Sequence, residues 1–354
     1  LGALQTLNFS LAGYRHFAQI SSLNEEGGFS LTFVRRSLSV LTKRAVGVAA
    51  MGACALALSF GIMVRAADTP GASMPLVNPD IRLCAKPPKP DSGADLWGAQ
   101  DGLIGECMAL IPARAADRPN VYAVAINPHG KQMLFSREAK TALQRFAANY
   151  GGTAEGGILL SNNAGDLLQV PLATQQNIAQ VLWEIGNRTQ AGPDDVLIVY
   201  LTSHGGPNAA LESALPGNLP ILAISADSLA AALHEARIRR RVIIISACFA
   251  GSWIPALAND DTIIITAARA DRTSFGCAED RPLTYFGEAF LNGPFNRGAS
   301  LADSFEGAKK TVTQWEQQQK LPFSQPQAFV GKNMQQFWLA ATRAAAPRKV
   351  ATRR

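Results

Sequence analysis

Two stretches decide the fold, DVLIVYLTSHGG at residues 195–206 and RVIIISACFAG at residues 241–251. Each opens on a nearly unbroken aliphatic and β-branched run, then turns abruptly into small and polar residues. A strand with no polar face is buried on both sides, the signature of a parallel sheet covered by helices. The flanking sequence agrees. Residues 121–126, 157–161 and 261–266 read as further strands, and residues 137–149, 175–187, 226–236, 285–291 and 301–317 carry a helical period. The alternation predicts an α/β three-layer sandwich with a mostly parallel central sheet. In such sheets ligands gather beyond the carboxyl ends of the strands.

Two of those ends carry chemistry. The run 195–202 leads into Ser203, His204, Gly205 and Gly206, and the run 241–246 leads into Ala247 and Cys248. If these strands are neighbours, His204 and Cys248 share one edge. A free thiol is only a few per cent ionised at neutral pH, and an adjacent imidazole can take its proton. A helix opening just after Cys248 would add its positive end. The backbone N–H groups of Gly205 and Cys248 can serve as donors to a developing oxyanion. A cysteine behind an apolar strand is more often a small buried hydrophobe, and a histidine before two glycines is more often a turn residue. The two together, each at the end of a different strand, put a nucleophile and its base on an even footing with those bland readings. His129 and His234 read as ordinary structural residues.

Composition narrows the function classes. The chain has 354 residues, 47% of them hydrophobic and 17% charged, enough apolar material for a full core and too much for a disordered chain. The net charge of +6 sits in the ends. Residues 1–65 carry six basic and two acidic residues and residues 341–354 five basic and none acidic, leaving 22 basic and 25 acidic in between. A slightly acidic body argues against a nucleic-acid partner. Residues 45–64, AVGVAAMGACALALSFGIMV, are uncharged, and as a helix they would reach about 30 Å, the thickness of the hydrocarbon core. Lys43 and Arg44 precede the run and only Arg65 follows it before Asp68, which orients the remainder of the chain across the membrane. The expectation is a transmembrane or signal-anchor helix, with a cleaved signal as the alternative and a buried core helix as the bland one.

The resulting plan is a leader at 1–44, the apolar segment at 45–64, a Pro- and Gly-rich linker at 65–99, one domain over 100–330 with a short helix at 103–111, and a basic tail at 341–354. Of five cysteines, Cys84 and Cys107 can pair, Cys54 lies in the apolar run, and Cys248 and Cys277 fall in the body. The four histidines are too scattered for a zinc motif, and a P-loop, a GxGxxG and a GxSxG elbow are all missing, so no cofactor is expected.

LIVYLTSHGG followed by VIIISACFAG, then by TIIITAARADRTSFGCAEDRPLTYFGEAF, resembles the legumain-like cysteine peptidases of family C13, particularly the bacterial type. The resemblance reaches back through PLATQQNIAQVL and covers roughly residues 100–320. It implies a caspase-like fold and a cysteine endopeptidase acting on peptides or proteins. Transferred by position, His204 matches the family's histidine, Cys248 its nucleophile and Gly205 the glycine of the oxyanion site. Arg137, Ser274 and Glu288 match residues of its pocket for the side chain before the cut. Ser246 stands where the animal and plant enzymes have Glu, which puts an Asn preference in doubt. Their asparagine near the histidine has no clear match: Phe135 stands at that position, and Asn127 is the nearest substitute. The resemblance also leaves open a transpeptidase and a caspase-like binding module with little turnover. With the apolar segment, it implies a bacterial inner-membrane protein facing the periplasm, or a secreted one.

Overall fold

The computed structural model describes residues 83–85 and 95–342. In chain order the elements are α1 (Gln100–Ala109), β1 (Val121–Asn127), α2 (Met133–Tyr150), β2 (Ile158–Ser161), α3 (Gln175–Arg188), β3 (Val196–Thr202), β4 (Gly205–Gly206), β5 (Ala210–Leu211), β6 (Ile224–Ser225), α4 (Ala226–Glu235), β7 (Arg240–Ser246), α5 (Ile254–Leu257), β8 (Thr262–Thr266), α6 (Tyr285–Leu291), α7 (Leu301–Gln318), β9 (Gln327–Val330) and α8 (Gln335–Leu339). The main sheet has the order β2-β1-β3-β7-β8-β9, parallel except for β9. A small antiparallel sheet, β4-β5-β6, grows out of the turn after β3.

The two-faced apolarity of β3 and β7 has a direct structural counterpart. Leu197, Val199, Leu201, Ile243 and Ile245 join the core under α1, α3 and α4, with Ile104, Ile178 and Leu229. Ile198, Tyr200, Val242 and Ile244 join the opposite core, with Phe146 of α2, Phe290 of α6 and Phe305 of α7. Alternate residues therefore feed alternate layers, as the period of two requires. The three-layer sandwich expected from the sequence is the one observed.

Several boundaries differ. The first helix begins at Gln100 rather than 103, and α2 begins at Met133 rather than 137, because Met133 and Gln132 look polar-flanked in sequence yet initiate the helix. Strand β9 was not expected: QAFV is short, lies at the sheet edge and is only partly buried, so it lacks the hydrophobic run that marked the others. With α8 behind it, the folded body continues past residue 330. Within the stretch assigned to the linker, residues 83–85 are fastened to the body. Cys84 is disulfide-bonded to Cys107, and the Ala85 N–H donates to the Gln169 carbonyl at 3.0 Å. Among the described residues no helix is long and apolar enough to cross a membrane. Residues 1–44, the apolar segment 45–64 and most of the tail at 341–354 lie outside the described residues.

Strand order reverses between β1 and β3, since β1 leads outward to β2 while the chain returns to place β3 on its other side. That is the switch point at which open α/β sheets form a crevice. The turns after β1, β3 and β7 all open there.

Candidate active site

The parallel register of β3 and β7 pairs Thr202 with Ser246. His204 and Cys248 each lie two residues further on, so the two turns emerge side by side. The Ser203 N–H donates to the Ser246 carbonyl at 3.4 Å and continues the pairing into the turns. Gly205 packs so closely on the second turn that a Cβ there would run into the Cys248 carbonyl oxygen and lie 3.1 Å from Ala247 Cβ. Its φ is not in the left-handed region. Space, not backbone freedom, is what this position requires. Because Glu212 N–H donates to the His204 carbonyl at 2.9 Å, the next pair, Gly205 with Leu211, is a non-hydrogen-bonded one. The Gly205 amide is thus left unused by the ladder.

Past Cys248 the chain turns sharply. Phe249 takes a left-handed conformation (φ 55°, ψ 16°) that a bulky residue rarely adopts. Its N–H donates to the Arg272 carbonyl at 2.7 Å, and its carbonyl accepts from Ser252. A 3-10 turn, Ala250–Trp253, and the four-residue α5 follow. The helix expected after Cys248 is therefore short and starts beyond Phe249, too small to lend much of a dipole. Cys248 instead leans on Ser274. The Ser274 N–H donates to Sγ at 3.3 Å, Sγ contacts the Ser274 carbonyl at 3.5 Å, and Ser274 Oγ lies at 3.9 Å. Among the described residues no hydrogen bond joins Sγ to His204.

His204 is held from several sides. Its Nε2 meets Gln132 Oε1 at 2.6 Å, while Gln132 Nε2 donates to the Cys277 carbonyl at 3.2 Å. With the amide nitrogen on a carbonyl, the amide oxygen faces the imidazole, so Nε2 carries the hydrogen and Nδ1 keeps the lone pair. Edge-to-face rings complete the setting: His129 at 4.9 Å and Phe135 at 5.1 Å between centroids. His129, expected to be an ordinary structural residue, is thus in direct contact with His204. Asn127 is not the partner of His204; its amide donates to Ser161 Oγ at 3.2 Å, because the end of β1 directs it toward β2. Phe135 contributes a ring and no hydrogen bond. The polar partner is Gln132, three residues ahead of the position expected, and no sequence signal marked it. The position of His129 just after β1, at the switch point, was the available hint for that residue.

Residues 171–336 match the family model described as the Peptidase C13 family. That stretch contains both strand ends, Ser274 and Glu288. The match spans a little under half of the chain. The sulfur-bearing turn described above falls inside the matched region. A search of curated proteins found no match. Among solved structures, caspase-1 from Spodoptera frugiperda is similar over 62% of this chain and 93% of its own, at 14% identity and a TM-score of 0.39. That likeness is too slight to bear weight, and the architecture rests on the strand order itself.

The residues matched by position to the family's pocket are largely occupied by internal contacts. Arg137 donates from Nε to the Pro282 carbonyl (3.3 Å) and from its terminal nitrogen to the Arg281 (2.7 Å) and Glu279 (3.3 Å) carbonyls. It clamps the loop 279–282. Glu288 is ion-paired with Arg281 at 2.6 Å, and Arg281 lies over the Tyr285 ring at 4.5 Å. Burial raises the Glu288 carboxyl above its ordinary range despite that pair. Ser246 is buried, with Oγ 3.0 Å from Thr284 Oγ1. Behind it Glu138 is fully buried, accepting from Tyr200 Oη at 2.9 Å and the Thr284 N–H at 2.8 Å. Of the sequence-derived positions, His204, Gly205, Cys248 and Ser274 come together. Arg137 and Glu288 converge on the adjoining loop, and Ser246 lies beneath. Cys277 is partly buried, and its thiol is pushed up to about 12 by burial first, then by Cys248 and Glu138.

Proposed function

We propose that the chain is a cysteine endopeptidase in which Cys248 is the nucleophile and His204 its base. The observation that carries this reading is the β3–β7 register, which brings the His204 and Cys248 turns side by side. Nδ1 of His204 takes the thiol proton, and Sγ attacks the peptide carbonyl to form a tetrahedral oxyanion. The N–H groups of Gly205 and Cys248 receive that charge. His204 returns the proton to the leaving amine. Water then resolves the thioester, with His204 again as base. Gln132 orients the imidazole, and the Ser274 N–H steadies the sulfur before attack.

Ser274, beside the sulfur, borders the pocket for the residue before the cut, with the Arg137-clamped loop and Glu288 as its further wall and Ser246 as a neutral floor. With Arg137 on carbonyls and Glu288 on Arg281, the charges near the pocket are internally matched. This supports a neutral polar side chain such as Asn there rather than a charged one. The Cys84–Cys107 disulfide supports an oxidising, extracytoplasmic setting, either tethered to the bacterial inner membrane through residues 45–64 or secreted.

The test is labelling by acyloxymethyl ketone probes with Asn, Asp, Arg or Ala before the reactive group. The Asn probe should label best, the Cys248→Ala variant not at all, and His204→Ala weakly. One observation favours a second reading, a binding module with little turnover: Sγ is held by Ser274 and not by His204. Absence of labelling by all four probes, with Cys248 still open to small thiol reagents, would replace the peptidase with that module.

A further inference from the structure

His129 lies on the short loop between β1 and α2. That loop is zipped to the segment after β5: Gly130 N–H donates to the Ala214 carbonyl at 2.8 Å, and Ala214 N–H to the Pro128 carbonyl at 2.9 Å. The same segment holds the His204 turn, through Glu212 N–H to the His204 carbonyl at 2.9 Å and Ser203 Oγ to the Glu212 carbonyl at 2.7 Å. The three rings of His129, His204 and Phe135 meet mutually edge to face, at 4.9, 5.1 and 5.8 Å. The His129 side chain is only 8% exposed. Its Nδ1 is buried and has no hydrogen-bond partner among the described residues. Two histidines in ring contact at the mouth of a thiol site are more than packing, since one must accept a positive charge for the chemistry.

We propose that His129 is a positioning residue for His204 that also sets the acid limit of the site: neutral, it braces the His204 ring, and protonated, it drives the proton off His204. The imidazolium that His204 becomes on taking the Cys248 proton is tolerated beside a neutral ring. Two imidazolium rings at 4.9 Å are not, because like charges at that separation repel strongly in a partly buried site. The groups facing His129 are His204 from the turn after β3, Glu212 from the segment after β5, Lys131 on its own loop, and the uncharged Phe135 of α2. Burial first, then His204, hold His129 below the ordinary histidine range; Lys131 acts the same way, and Glu212, 3.5 Å away but 60% exposed, opposes them. His129 therefore takes its proton only below the ordinary histidine range, and that charge then disfavours the imidazolium that His204 must form.

The inference rests on the peptidase reading only for its effect on turnover. The coupling itself is read by NMR on the full chain with isotope-labelled histidine, which reports each imidazole directly. In the wild type, the His204 and His129 curves should be broad and interdependent. His204→Asn should raise the His129 midpoint by about one pH unit, and His129→Phe should turn the His204 curve into a single step. On kcat/KM, His129→Phe should extend the acid limb to lower pH, with the alkaline limb unmoved. Glu212→Gln, at an exposed site, should also move the acid limb to lower pH, because Glu212 favours the protonated His129. Histidines that titrate identically with and without each other would overturn the proposal, whether or not the protein cuts peptides. If His129→Phe does not fold, His204→Asn and Glu212→Gln decide. Coupling without peptidase activity would leave this inference standing and remove the functional reading alone.

Discussion

Gly205→Ala tests whether the close approach of the two turns sets the reactive geometry. The substitution keeps the backbone N–H and asks for no unusual φ. Its Cβ, however, would lie 3.2 Å from the Cys248 carbonyl carbon and intrude on the attached oxygen by roughly 1 Å relative to an ordinary carbon–oxygen contact. The obstacle is backbone at the end of a central strand, so it yields only if the Cys248 turn moves. A displacement of that size between reacting groups costs about 100-fold in rate, or about 2.7 kcal/mol. The accompanying overpacking costs about 1–3 kcal/mol of stability, a few degrees in melting temperature for a body of this size. Gly206→Ala is the control, because its Cβ would crowd the side-chain oxygen of exposed Asn208, at 2.6 Å, and meet backbone, the Ala210 carbonyl, only at 3.9 Å. The assay is kcat/KM on a fluorogenic peptide together with calorimetry. Gly205→Ala should lose about two orders of magnitude while remaining folded, and Gly206→Ala should stay near wild type. Equal activities in the two variants would refute the argument that Gly205 is required for contact.

Gln132→Ala should lower kcat about 10–100-fold with KM little changed, as expected for loss of an orienting hydrogen bond worth about 1.5–3 kcal/mol to a charged partner. Gln132→Glu should recover part of that rate and move the acid limb to higher pH, because an anion stabilises the His204 imidazolium while the base must start neutral; steady-state pH profiles check both. With its thiol pushed up to about 12, Cys277 stays protonated through pH 9. Short iodoacetamide treatment followed by peptide mapping should therefore find the label on Cys248 and not on Cys277. Replacing both Cys84 and Cys107 by Ser opens a link spanning 23 residues and should cost about 3 kcal/mol by loop closure, read as a lower midpoint in denaturant. An unchanged midpoint would mean that the unfolded chain is not what the link restrains.

What the sequence determined alone was whatever is written locally. The unbroken apolarity of VLIVYLT and VIIIS required strands covered on both faces, and the abrupt change to SHG and ACF placed polar chemistry at their ends. Cys84 and Cys107 were legible as a pair because few other cysteines competed. The edge strand QAFV was not legible, since a short, half-exposed edge needs no hydrophobic run. Only the tertiary structure decided who meets His204. Gln132 is 72 residues away in the chain and reaches the imidazole because β1 and β3 are paired in register. Phe135 and His129 arrive by the same pairing. It likewise decided that Arg137 clamps a loop through three carbonyls and that Ser246 lies beneath the site against Thr284. A strand's two-residue period is encoded in adjacent side chains, whereas the partner of a strand-end turn depends on sheet order and register. Those follow from burying all the strands together, and no single stretch carries that information.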